Sequence, residues 1–573
     1  MPWIQVYDPL GGAWLSTAAA ALPIVLLLVA LGVLEWRAHL AALLGLVSAL
    51  AVSVFIYGMP IQSASATALY GAAYGFLPIG WIVLNAVFLY NLTVETGQFE
   101  ILKASVGRLS SDRRVQALLV AFSFGAFIEG ASGFGTPVAI CSALLMGLGF
   151  TPLYAAGLSL IANTAPVAFG AIGTPILTLA AVTGIPAMTI GIMAGRQLPF
   201  VSLIVPAWLV VTMSGWKGLR SVWPAVLVCG GTFAIVQFAW SNYIGVELVD
   251  IAGGLASIFA LGLFCKVWRP KDDWHSADVA APMFASASAP STSAFATASA
   301  GEALAQKKAV ARAWVPWMFL SVAVIVWGLA PTKKFLNQGA LAPAWDVPSL
   351  HRMVFRDYPV VTTPVDSARI ADAAYRNERA EVARFTVNWA SATGTAIFLA
   401  AVASAIFLRI SLAQFLAVAG TTARRMRAPL ATIMLMMALG FVTRYGGTDA
   451  TLGLAFTKTG WLYPFFGTML GWLGVALTGS DTSSNVLFGS LQKITAQQLG
   501  FNPILIVTAN STGGVMGKMI DAQSIVVATA STGQVGQEGR ILRFVFWHSV
   551  VLAAIMGVIV MLQAYVFPWM IPE

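Results

Sequence analysis

Ile128-Glu129-Gly130-Ala131-Ser132-Gly133-Phe134-Gly135-Thr136-Pro137 decides how the rest of the chain is read, because it interrupts an otherwise apolar region with three glycines, a proline and two hydroxyl groups. A helix cannot continue through such a run. In a bilayer, irregular backbone is tolerated only where it is buried in protein or lines a wet cavity. A second interruption lies far downstream: Thr478-Gly479-Ser480-Asp481-Thr482-Ser483-Ser484-Asn485 carries six consecutive hydrogen-bonding side chains between apolar arms.

The surroundings are membrane-like. Of 573 residues only 10% are charged and 58% are hydrophobic, with a mean hydropathy of +0.82. A soluble domain carries about 25% charged residues, so a soluble enzyme, a disordered tail and a disulfide scaffold are excluded. Apolar runs of helical length, without alternation at every second residue, predict an all-α polytopic membrane protein and not a barrel. The net charge of +9 does not mark a nucleic-acid binder. Lys and Arg gather in short segments between apolar runs (Arg108, Arg113 and Arg114; Arg424, Arg425 and Arg427), as in cytoplasmic loops facing an anionic leaflet. Cys141, Cys229 and Cys265 read as small hydrophobes. His39, His275, His351 and His548 are scattered without metal-ligand spacing, so no metal and no cofactor is expected. No Lys or Arg precedes Arg37, which argues against a cleaved signal peptide and makes Ala18–Leu34 a retained first helix.

Apolar runs near 18–34, 38–57, 70–92, 187–213, 221–241, 248–268, 313–330, 390–410, 428–443 and 543–569 can each span the bilayer, at about 20 residues per crossing. Orientation follows the basic residues. The start before Arg37, which has no basic residue, places the N-terminus outside; Lys103 to Arg114 and Lys217 with Arg220 lie inside; 242–250, with only Glu247 and Asp250, lies outside. Between the inside segments at Arg114 and Lys217 the chain must cross an even number of times. A re-entrant hairpin 115–149, a broken span 152–182 and the helix 187–213 satisfy that. Hairpin 461–499 and broken span 503–532 satisfy it from the opposite side. The expectation is about 12 transmembrane helices and two oppositely inserted hairpins, an inverted-repeat architecture with both termini outside. The first half is 1–213 and the second 313–573, joined by connecting helices in 214–268 and a flexible cytoplasmic linker 269–312. An external loop covers 331–389. A weak repeat agrees: Gly149-Phe150-Thr151-Pro152 precedes Asn163-Thr164 and Gly170, and Gly500-Phe501-Asn502-Pro503 precedes Asn510-Ser511 and Gly517. Paired broken segments in corresponding halves are the sequence pointer to a transporter's binding site.

The chemistry should sit at those breaks. Ser132 and Gly133 on the first tip, and Ser480, Thr482, Ser484 and Asn485 on the second, offer hydroxyls, amides and free N–H groups to an anion. Asn163 and Thr164, with Asn510 and Ser511, mark the helix breaks expected to face the tips. The plainer alternatives are a tight turn of small residues in the first case and a surface loop in the second. Charges embedded in apolar sequence are expensive, about 2.5–3.5 kcal/mol each on insertion scales. Arg196, in Gly195-Arg196-Gln197-Leu198-Pro199, and Lys518 are the candidate carboxylate ligands; an internal ion pair with Glu129 or Asp481 is the alternative for Arg196. Glu129 and Asp481 are the natural proton carriers, since loss of water favours a neutral carboxyl group.

Enzyme signatures are missing: Gly514-Val515-Met516-Gly517-Lys518-Met519 lacks the first glycine and the Ser/Thr of a phosphate loop. The ordered strings Gly125-Ala126-Phe127-Ile128-Glu129-Gly130, Asn163-Thr164-Ala165-Pro166-Val167-Ala168-Phe169-Gly170, Gly195-Arg196-Gln197-Leu198-Pro199, Leu477-Thr478-Gly479-Ser480-Asp481-Thr482-Ser483-Ser484-Asn485 and Gly517-Lys518-Met519-Ile520 resemble the bacterial L-lactate permease family, which includes glycolate permeases. The resemblance implies uptake of L-lactate with a proton across the cytoplasmic (inner) membrane, with glycolate or D-lactate also accepted. Its partners would be that substrate, protons and lipid, with no nucleic acid. Sodium coupling is the main alternative, because unwound carbonyls also suit Na⁺; a carboxylate channel or receptor is the other. The sequence carries no sign of oligomeric state.

Overall fold

The computed structural model describes residues 2–573 except 33, 35, 108, 111, 134, 271–299, 362, 535 and 536. Most of the flexible linker therefore lies outside the described residues. Its last part departs from expectation, because a helix already runs from Ala300 to Gly328. Among the described residues nine helices are long and apolar enough to cross a bilayer, or ten if the bent pair Pro152–Ala162 and Val167–Thr183 is one span. Large apolar side chains such as Phe55, Leu69, Ile235 and Phe259 point outward from these helices, as contact with hydrocarbon requires.

Three elements run longer than the apolar patterns suggest. The expected span 70–92 belongs to a stretch Ile61–Glu95, interrupted by extended backbone at Leu77. The basic cluster Arg424, Arg425 and Arg427 is not a loop; it lies within the 35-residue helix Leu412–Gly446. At 1.5 Å per residue that helix is about 50 Å long, against roughly 30 Å of hydrocarbon, so its first turns extend beyond the core. The spans 187–213 and 221–241 form one 57-residue run, Ala187–Tyr243, which reverses at Gly215 (φ 65°, ψ −173°). Beyond that turn Gly230 packs on the Ser202 carbonyl and Ser202 Oγ donates to Gln237 Oε1 at 2.7 Å, so the arms lie antiparallel.

The first interruption separates Gly125–Ala131 from Thr136–Gly147, and the second separates Tyr463–Thr478 from Asp481–Leu499. Each is followed by a helix pair: Pro152–Ala162 then Gly170–Thr183, and Pro503–Gly517 then Ala522–Ser531. These elements exchange partners. Asp481–Leu499 packs along Gly170–Thr183, where Asn485 Nδ2 donates to the Pro175 carbonyl (3.2 Å) and Lys493 Nζ to the Thr183 carbonyl (2.6 Å). In the reciprocal pair, Thr136–Gly147 packs against Ala522–Ser531, with Ser142 and Ser531 hydroxyls 2.6 Å apart. Likewise Pro152–Ala162 meets the last helix, Glu538–Tyr565, as Pro503–Gly517 meets Ala187–Tyr243.

The N-terminus and the segment 331–389, both expected outside, meet. Strand Trp3–Ile4 pairs in parallel with Val354–Phe355, and Ala344–Asp346 pairs antiparallel with Arg384–Thr386. Arg356 and Arg444 reach Glu381 at 2.8 and 3.2 Å, and Arg444 also donates to the Val182 carbonyl. Burial pushes the Glu381 carboxyl up, but Arg356 and then Arg444 outweigh it and hold it below its ordinary range. Asp250 is a correction. It is no loop marker: it lies in the first turn of helix Val249–Val267 and is completely buried.

Candidate functional site

Both interruptions are short. After Ala131 the backbone leaves the helix at Ser132, and Gly133 (φ +58°) and Gly135 (φ +76°) take left-handed conformations that L side chains avoid. Ser132 Oγ donates back to the Ile128 carbonyl (3.1 Å). At the second tip Gly479 closes the preceding helix in the left-handed region. Ser480 then caps the next one, accepting from Ser483 N. Most of the polar string is thus the first turns of a helix and not a surface loop, with Asp481, Ser483, Ser484 and Asn485 buried and Ser480 and Thr482 half-buried.

The helix breaks differ from expectation in place. In the first half the helix ends at Asn163, and after a tight turn Ala171, Ile172 and Gly173 are all left-handed (φ 44°, 58° and 74°). Two non-glycine residues there hold strain of about 1–2 kcal/mol each. In the second half the break expected at 510–514 is absent. The helix continues to Gly517 and is interrupted at 518–521. Close packing explains why. A Cβ on Gly513 would stand 2.3 Å from the Thr468 carbonyl, and one on Gly514 would stand 2.5 Å from Asp481 Oδ1. The glycines seat this helix against Tyr463–Thr478 and its neighbour; they do not unwind it. Only the second interruption follows the glycine seven residues after the Asn, Gly517; the first already begins at Asn163, ahead of Gly170.

Two polar clusters result. In the second, Ser511 Oγ donates to Asp481 Oδ2, as does Asn485 Nδ2 at 3.3 Å, while Asp481 Oδ1 has no partner among the described residues. Asn510 Nδ2 donates to Asn485 Oδ1 (2.9 Å), Gln492 Nε2 to Asn510 Oδ1 (3.2 Å) and Tyr463 OH to Gln492 Oε1 (2.7 Å). Ser484 Oγ donates instead to the Gly471 carbonyl. Lys518 Nζ donates to the Gly479 carbonyl at 2.7 Å and lies 3.3 Å from Asp521 Oδ2, tying the second tip to its own helix break. In the first cluster Glu129 faces Gly170, where a Cβ would meet Oε1 at 2.5 Å. Glu129 Oε2 and both amide atoms of Asn163 have no hydrogen-bond partner among the described residues, and Thr164 Oγ1 bonds to its own helix at Ile161. Lys518 and Asp521 lie within electrostatic reach of Glu129, and Lys518 also of Asp481, so one cation serves both clusters.

Arg196 does not join them. Its guanidinium donates to Asn242 Oδ1 (3.0 Å) and the Met570 carbonyl (2.7 Å), so neither Glu129 nor Asp481 is the partner that holds it. The next residue faces the site: Gln197 Oε1 accepts from Thr512 Oγ1 (2.6 Å) and its Nε2 donates to Gln563 Oε1. Gln197, Gln492, Tyr463 and Asp250 escaped sequence reasoning. Asp250 carried a usable signal, since it falls inside the apolar run 248–268.

Membrane-length helices closed around buried, charged helix breaks define a membrane transporter. The chain belongs to the L-lactate permease family, whose model matches residues 16–567. It is 47% identical over 575 residues to a glycolate permease of Escherichia coli K12, covering 99% of both chains. An L-lactate permease of the same strain is 46% identical, and one of Bacillus subtilis 43%, each alignment covering 100% of both chains. It is therefore a multi-pass membrane transporter and not an enzyme.

Proposed function

We propose that this chain takes up L-lactate, glycolate and D-lactate across the cytoplasmic membrane together with a proton, by alternating access around the two tips. The observation that carries this is the convergence of Glu129, Asp481 and Lys518 on two buried helix breaks linked by one cation. Lys518, with the N–H groups at the start of Asp481–Leu499, takes the substrate carboxylate; those of Ser132 and Gly133 already donate to the Ile128 and Glu129 carbonyls. Ser480, Thr482, Ser484, Asn485, Asn163, Thr164, Asn510 and Ser511 supply partners for the 2-hydroxyl. Glu129 or Asp481 carries the proton. Arg196, held by Asn242 and Met570, fastens helices in this conformation.

The exchange of partners between the two interrupted regions supports an inverted repeat of 1–213 and 313–573, with about twelve crossings and oppositely inserted hairpins. The shared end formed by Trp3–Ile4 and 344–386 supports placing the N-terminus outside with the external segment, and the Arg196–Met570 contact supports the same side for the C-terminus. Purified protein in proteoliposomes tests the function. An imposed inward proton gradient should drive labelled lactate above equilibrium, and an equal sodium gradient should not. Accumulation driven by sodium alone overturns proton coupling, and no uptake of lactate, glycolate or D-lactate under either gradient overturns the substrate assignment.

A further inference from the structure

Asp250 is the buried charge that the two tips do not explain. It is 0% exposed, and neither carboxylate oxygen has a hydrogen-bond partner among the described residues. An acidic residue in the first turn of a helix ordinarily accepts from the first N–H groups and complements the dipole. Here the cap is Leu248 and no side chain caps the helix, so that role does not account for Asp250. Glu247 turns away and accepts from Val246 N at 3.2 Å. A carboxylate without partners in a membrane interior is sustained by binding a cation.

Its position is specific. A Cβ on Gly130 would stand 2.9 Å from Asp250 Cβ and 2.8 Å from Ile251 N, so the helix start is wedged directly against the residue after Glu129. Helix Val249–Val267 packs on the Gly125–Ala131 arm, on Leu118–Phe124, which carries no charged residue, on Ala187–Tyr243 and on Gly170–Thr183. From those elements Glu129 is the group whose charge acts on Asp250, and Glu129 in turn faces Lys518, Asp521 and Asn163. No basic side chain among these stands against Asp250, whereas Lys518 serves Glu129.

We infer that Asp250 is a proton-binding residue of the transport cycle, coupled across Gly130 to Glu129. The proton adds to an Asp250 carboxylate oxygen from the outside solution and leaves that oxygen to the cytoplasm when the site opens inward. The charge of Glu129, which Lys518 opposes, sets how readily Asp250 gives the proton up. This rests on the proton-coupled reading above. It also gives the connecting helix, which belongs to neither half, a part in coupling.

Proton-driven uptake of labelled lactate into proteoliposomes, followed from external pH 5.5 to 8, tests it with wild type, Asp250→Asn and Asp250→Glu. Asp250→Asn should lose about tenfold or more of the proton-driven rate and flatten the pH profile. Asp250→Glu, which restores a carboxyl group, should recover coupling with a displaced pH midpoint. If Asp250→Asn does not fold, Asp250→Glu decides: a displaced midpoint supports the inference and the wild-type midpoint overturns it. A proton-driven wild type beside an Asp250→Asn protein with the same rate and profile overturns this inference alone. A wild type indifferent to the proton gradient overturns the symport reading and this inference together.

Discussion

Gly471 has no side chain because there is no space for one: a Cβ would stand 2.0 Å from the Asn510 carbonyl oxygen. That contact brings Tyr463–Thr478 close enough to Pro503–Gly517 for Asp481, Asn485 and Asn510 to connect. Gly471→Ala should destabilise the protein by about 1–3 kcal/mol, as overpacking does, read as a lower midpoint of thermal unfolding in detergent. Gly231→Ala, where nothing lies within 4 Å, is the control that should leave the midpoint in place. At this scale the sequence was most legible where chemistry and surroundings disagree. Glu129, Asp481 and Lys518 stand out in apolar runs, and all three are buried at the breaks. Arg196 stood out equally and lies elsewhere, because adjacent residues on a helix point about 100° apart. Its neighbour Gln197, uncharged and so unremarked, makes the contact.

Among the elements, the interruption at 518–521 carries the most consequence, because the Lys518 ammonium bonds the carbonyl of Gly479 on the second tip. Lys518→Gln should reduce lactate uptake by about tenfold or more, since it removes both the proposed ligand of the substrate carboxylate and a positive charge beside buried carboxylates. Lys518→Arg, which keeps the charge but not the compact shape, should restore part of it. Initial rates of labelled uptake, compared at equal amounts of reconstituted protein, measure both. Helix breaks were harder to place from the sequence than to detect. Asn510-Ser511-Thr512-Gly513-Gly514 has the composition of a break, yet its side chains bond sideways to Asp481, Asn485 and Gln197 and its glycines admit neighbours. Ala171 and Ile172 have no breaker chemistry and are nonetheless left-handed, with Gly133 of the first tip packed on Ala171.

Over the whole molecule, the apolar periodicity and the basic segments anticipated the helical class and most of the long helices. The segment 331–389 was the opaque part: charges of both signs do not reveal that Glu381 is clamped by Arg356 and Arg444. Because the folded Glu381 carboxyl lies below its ordinary value, its contribution is complete above the unfolded value of about 4.3 and is lost as the pH falls through the folded one. Acidification below about pH 4 should therefore loosen 344–386. Hydrogen exchange of that segment should rise with acid in the wild type, whereas in Glu381→Gln it should already be fast near neutrality.

The parallel pairing of Trp3–Ile4 with Val354–Phe355 also concerns biosynthesis. Chains emerge from the ribosome N-terminus first, so Trp3 is made long before its companion strand has been translated. Until then its backbone groups on that edge must be satisfied by water or by a temporary escort. A first half synthesised alone would keep that edge unpaired indefinitely, and co-expression with the missing half is the means of closing it.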